Sequence, residues 1–143
     1  MPTPAPAPHR PPPPRLRVLS LGAGVQSTTV LLMALRDEFP GRPDCAVFAD
    51  TGWEPAAVYD PLAWLEGVAA AGGVPVHRVS AGDLRRDLLD AAAGRRPRVA
   101  NPPLFVRNRD TRGEYATPDH GGMLWRGCTK EYKVTPIRRR LRA

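Results

Sequence analysis

Ser20-Leu-Gly-Ala-Gly-Val-Gln-Ser-Thr28 is a turn of small and hydroxylated residues between the apolar run Leu16 to Leu21 and the helix-like run Thr29 to Leu35. Twenty-two residues after Thr28, a second apolar run, Cys45 to Ala49, ends in Asp50-Thr51-Gly52. Parallel strands joined by a helix deliver both turns to the same sheet edge, where open α/β sheets bind ligands. Gly22 and Gly24 can take backbone angles closed to other residues and leave room for a phosphate against main-chain N–H groups. Ser20, Ser27 and Thr28 add hydroxyl donors, and the helix after the turn directs its positive end at the anion.

The same alternation continues downstream. Strands are expected at 15–21, 44–49 and 74–79, with helices at about 27–38, from Glu54-Pro55 to Gly72-Gly73, and at 81–93. Val58, Leu62, Leu65 and Val68 make the buried stripe of the second helix, and Ser80 with Asp83 suggests a cap on the third. Beyond Arg95 the pattern breaks into loop signals, and helix returns at about 129–142. Eight prolines in the first fourteen residues make residues 1–14 an extended, disordered arm. The expected class is α/β, a three-layer α/β/α sandwich on a mainly parallel sheet spanning 15–143, with Ala143 as a possible truncation point.

Composition narrows the classes further. With 143 residues and a 42% apolar fraction, the chain is one globular domain. No apolar run nears the roughly 20 residues of a membrane span. The amino terminus has no export signal, so a cytoplasmic location is expected, with Cys45 and Cys128 as thiols. The net charge of +7 is uneven: residues 18–94 hold five Arg against ten acids, whereas residues 95–143 hold thirteen Lys and Arg against four. Such a basic last third suits a polyanion, either nucleic acid or a phosphorylated small molecule.

Three readings of the turn compete on residues alone. A Walker loop requires a lysine, and the turn has none. A dinucleotide fingerprint is met except that Ser27 replaces the third glycine, with Asp50 as the ribose ligand. An unliganded bend rarely combines two glycines with three hydroxyls.

A third segment joins the two turns: Cys128-Thr-Lys-Glu-Tyr-Lys133-Val-Thr-Pro136, followed by Arg138, Arg139 and Arg140. Together the three segments resemble the PP-loop, or adenine nucleotide alpha-hydrolase-like, superfamily, and within it the phosphoadenosine phosphosulfate reductase family. Gly22 to Ser27 is similar to the superfamily's SGGxDS turn, Asp50-Thr51-Gly52 to the DTG ending its second strand, and Cys128, Lys133 and Pro136 to its Cys-x-x-x-x-Lys-x-x-Pro segment. The resemblance covers about residues 15–141. It implies ATP or a related adenine nucleotide, with Mg²⁺, held by Ser20, Gly22, Gly24, Gln26, Ser27, Thr28, Asp50, Thr51 and Gly52, while Lys133 offsets phosphate charge. The implied chemistry is attack on the α-phosphate with departure of pyrophosphate.

Two departures qualify that implication. Gln26 stands where the superfamily has an aspartate, and no reductase-type Glu-Cys-Gly-x-x-His tail occurs within the 143 residues. A nucleotide-binding module without turnover, a nucleic-acid-modifying ATPase and a dinucleotide-binding protein therefore remain as alternatives. Cations around Cys128 would favour its thiolate and a reactive role. Arg138, five residues after Lys133, is a further candidate nucleotide contact. Trp53 is placed either on a base or under its loop. His120 and Cys128 are too sparse for zinc, and no metal site is expected. Phe105, Arg107, Arg109, Arg112 and Tyr115 suggest an anion-handling loop.

Overall fold

The computed structural model describes residues 16–38, 40–107, 121–123 and 126–143. The proline arm therefore lies outside the described residues, as do Arg109, Arg112, Tyr115 and His120 of the expected loop and metal-ligand sets. Three parallel strands, β1 (Val18–Leu21), β2 (Cys45–Asp50) and β3 (Val76–Ser80), form a sheet in the order β1-β2-β3. They alternate with α1 (Val25–Leu35), α2 (Ala56–Ala71) and α3 (Leu84–Ala92). A short antiparallel pair, β4 (Phe105–Arg107) and β5 (Gly121–Met123), flanks a span where the sequence predicts only loop. The chain then enters a π-helical segment, Thr129–Val134, which runs into α4 (Thr135–Arg142). The protein is thus an α/β chain on a parallel sheet.

Central β2 is buried from Cys45 through Ala49, as its unbroken apolar sequence requires. Ala46 and Phe48 join Leu21, Leu31, Leu62, Leu65, Ala69 and Val74 in the main core. Removing this much apolar surface from water, at about 25 cal/mol per Å², is the principal favourable contribution to folding. The α2 stripe holds at Leu62 and Leu65 with Val58 partly buried, but Val68 is only half-buried and Ala69 takes the buried position beside it. The C-terminal helical segment packs against β2 and β3, so residues far apart in sequence reach the sheet together.

Several boundaries shift for local reasons. The first helix begins at Val25, two residues before the expected start, because Gly24 already accepts its first backbone bond, from Thr28 N–H at 3.1 Å. The third strand begins at Val76, after Pro75, whose carbonyl accepts from Ala46 N–H at 2.9 Å but which has no N–H to give the ladder. Ser80 ends that strand and exchanges hydrogen bonds with Gly82, so it does not cap the helix. Asp83 alone caps α3, accepting from Arg86 N–H at 2.8 Å. Replacing Asp83 by alanine should cost about 1 kcal/mol, read as a lower urea midpoint, while Asp83→Asn should cost much less.

The π-helical segment follows from Pro136. With no N–H, Pro136 cannot donate to the carbonyl of Tyr132, and its ring crowds that carbonyl. The chain widens by one residue, and Thr135 Oγ1 donates to the Lys130 carbonyl at 2.8 Å.

Tyr132 anchors this segment. Only 6% exposed, it packs with Leu84, Ala100 and Cys128 and donates its hydroxyl to Asp87, which also pairs with Arg96. Burial and the Asp87 carboxylate push the Tyr132 phenol up to about 12. The Tyr132 hydrogen bond and the Arg96 guanidinium hold Asp87 below the usual carboxylate range. A raised phenol stabilises the fold below its unfolded value near 10, and that contribution fades as pH rises toward 12. Tyr132→Phe should therefore flatten the loss of stability between pH 10 and 12 by on the order of 1–2 kcal/mol. Urea midpoints at intervals across that range measure it, and parallel wild-type and variant curves would refute the assignment.

Candidate functional site

Leu21 pairs with Phe48 at the ends of β1 and β2, so the turn at 22–24 and the turn at 50–52 leave adjacent strands at one edge. Neighbouring strands lie about 4.8 Å apart. Neither Gly22 nor Gly24 has a positive φ; the left-handed residue of the turn is Ala23, at φ 52°. Its methyl packs against the main core, which gives a side chain a use where glycine would be easier. What the two glycines supply is space. A Cβ at Gly24 would meet nothing within 4 Å, and one at Gly22 only Ser27 Oγ at 3.8 Å.

The turn is knit by Ser27, whose Oγ accepts from Gly22 N–H at 3.1 Å and lies 3.3 Å from the Gly24 carbonyl, to which it donates. No side chain caps α1 and no acid sits in its first turn. Its leading N–H groups consequently face the edge without a protein anion, the arrangement that accommodates a phosphate. Ser20 and Gln26 are exposed beside them, and Thr28 is half-buried.

The second turn is more tightly built. Asp50 Oδ1 accepts from Gly52 N–H at 2.8 Å and from the Tyr59 hydroxyl at 3.0 Å. Burial, followed by that bond to Asp50, raises the Tyr59 phenol above its ordinary value. Thr51, 4% exposed, receives Trp53 N–H at 3.2 Å and donates to Glu54 Oε1 at 3.1 Å. Gly52 is in the left-handed region at φ 69°, pressed against Asp83. Trp53 is about half exposed beside this turn.

Lys133 is brought to the same place. Its Nζ lies 2.9 Å from Glu54 Oε1, so the C-terminal segment supplies a cation to the strand edge across 79 residues of sequence. Glu54 is the residue that sequence reasoning passed over, reading it only as a helix start; Tyr59 went unremarked. No periodicity signals either role, because both depend on tertiary placement.

Arg138 lies elsewhere. A spacing of five lies beyond the helical neighbours at three and four, so Arg138 does not share Lys133's aspect. It lines an open hollow of about 540 Å³ with Thr135, Arg139, Arg142 and Ala143, none of them a residue of either turn. Cys128 is buried at 9% exposure against Leu84, Ala100 and Tyr132, with its N–H on the Asn101 carbonyl at 3.3 Å. Its thiol is set in packing, one turn before Lys133. Cys45, also a thiol, is in the β2 core, where burial pushes it up. Among the described residues, no three His, Cys, Asp or Glu side chains converge as metal ligands, and no helix is long and apolar enough to cross a membrane.

Compared with protein-family models, curated proteins and solved structures, the chain gives no match.

Proposed function

We propose that this edge binds ATP or a related adenine nucleotide, in a three-layer α/β/α domain of the PP-loop kind, and transfers the adenylyl group. The observation that carries the reading is the convergence of three separate segments. An open, uncapped Gly/Ser turn, the Asp50-Thr51-Gly52 turn and Lys133 meet at the ends of β1 and β2. The absence of a side-chain cap on α1 and the clear space over Gly24 fit the phosphates.

In this reading the first-turn N–H groups of α1, with Ser20, Ser27 and Thr28, hold the phosphates that leave as pyrophosphate. Lys133 exchanges its Glu54 partner for phosphate oxygen and offsets charge that develops at the α-phosphate. Asp50, fixed by Gly52 and Tyr59, keeps its second carboxylate oxygen for the nucleotide or for its Mg²⁺. Magnesium holds several waters and needs only one or two protein carboxylates beside the phosphates, so Gln26 in place of an aspartate is compatible with an ion that arrives on the nucleotide. An acceptor oxygen attacks the α-phosphate and takes the adenylyl group.

Isothermal titration of the folded protein with ATP and Mg²⁺ should give a one-site isotherm, competed by pyrophosphate. No heat at millimolar ATP would overturn the reading. Pyrophosphate release then separates an enzyme from a binding module, because binding without release removes the transfer step and leaves the site.

A further inference from the structure

Thr135, Arg138, Arg139 and Arg142 stand at positions i, i+3, i+4 and i+7 of α4, one stripe of the helix. All four are exposed, and among the described residues no carboxylate lies within 4 Å of any of these three guanidinium groups. The neighbouring Arg140 is not part of the stripe; it reaches His77 of β3 at 3.5 Å. Four other arginines, Arg78, Arg95, Arg96 and Arg98, each pair with an acid, whereas Arg36, Arg85 and Arg86 share the stripe's lack of one among the described residues. Like charges at i and i+4, here Arg138 and Arg142, repel unless an anion lies between them. The helix's negative C-terminal end relieves only part of that cost.

We infer that this stripe is a docking surface for the phosphate backbone of duplex nucleic acid. A chain of net charge +7 and isoelectric point about 10.4, with arginines clustered along one helix, has the electrostatic footprint of such a surface. The opposite side of α4 is occupied, since Pro136 is buried and the helix packs on β2 and β3, so the arginine stripe is the face left to a partner. Guanidinium groups suit phosphate oxygens, and contacts of that kind are independent of sequence. The stripe contains no aromatic side chain, and single-strand binding surfaces rely on base stacking. Duplex is therefore the favoured partner. The inference stands apart from the nucleotide reading and needs no ATP.

Fluorescence anisotropy with a labelled 20-base-pair DNA of arbitrary sequence tests it. Three phosphate contacts give a slope of log K against log salt of about −2.7, or roughly 40-fold weaker binding at 200 mM than at 50 mM salt. Arg138→Ala/Arg139→Ala/Arg142→Ala should weaken binding at 50 mM salt by about tenfold or more and flatten the slope. Alanine favours helix, so the far-ultraviolet spectrum should be kept. The triple lysine variant keeps the charges and should bind within a few-fold of wild type. No binding at 50 mM salt, equal binding by the triple alanine variant, tighter binding to the single strand, or binding only to anionic vesicles would each overturn the assignment.

Discussion

Gly52→Ala is expected to destabilise the protein by about 3 kcal/mol and to lower its melting temperature by roughly 10 °C. Two costs combine. The residue sits at φ 69°, where an L side chain costs about 1–2 kcal/mol. Its new Cβ would lie 2.9 Å from Asp83 Cα and 3.1 Å from Asp83 Cβ. Backbone cannot swing away as a side-chain tip would, because Leu84 N–H donates to the Thr51 carbonyl at 2.8 Å and fixes the start of α3 to this turn. Gly94→Ala is the control: its φ is 71°, but nothing lies within 4 Å of its added Cβ, so only the same conformational cost of about 1–2 kcal/mol remains. Thermal and urea unfolding of both variants measure the difference. Equal losses would show that the close approach to Asp83 is not a constraint. On the nucleotide reading, Gly52→Ala should also weaken ATP binding, because displacing its N–H loosens Asp50.

Legibility in the sequence followed the range of the interaction. The β-α alternation, the buried run of β2 and the position of both turns are properties of contiguous residues, and they emerge from period and punctuation. That both turns share an edge also follows, since successive parallel strands end on the same side. The identity of the strained residue did not. Gly22 and Gly24 permit left-handed backbone, yet it occurs at Ala23, whose methyl packs against the core. Likewise, Asp83 rather than Ser80 caps α3, because Ser80 is claimed by β3 pairing with Asp50. Glu54 and Tyr59 were silent for a stronger reason: each acquires its partner only after folding, Glu54 through Lys133 and Tyr59 through Asp50. The resemblance implies a phosphate role for Lys133, but its partner in the structure is Glu54, an acid that no spacing rule connects to it.

That partner yields the second large effect, in which two variants of one ion pair should move ATP affinity in opposite directions. On the nucleotide reading, Lys133→Ala removes a charge-assisted contact worth about 1.5–3 kcal/mol, so binding should weaken about ten- to a hundredfold. Glu54→Gln retains an amide oxygen to accept from Thr51 Oγ1 but removes the negative charge that holds Lys133 at 2.9 Å. Lys133 is then released toward phosphate, and a repulsive carboxylate is gone from its surroundings, so binding should tighten several-fold. The pair is partly exposed, with side-chain exposures of 44% for Lys133 and 18% for Glu54, so its own contribution to stability is modest, about 1 kcal/mol or less. Affinity, not folding, is accordingly where the two variants part. If Glu54 acts through Lys133, its gain should shrink in the Lys133→Ala background, the signature of coupled neighbours. A purely structural ion pair would behave otherwise: both single variants would lose similar stability, the double variant would lose no more, and titration with ATP and Mg²⁺ would give the wild-type affinity in all three.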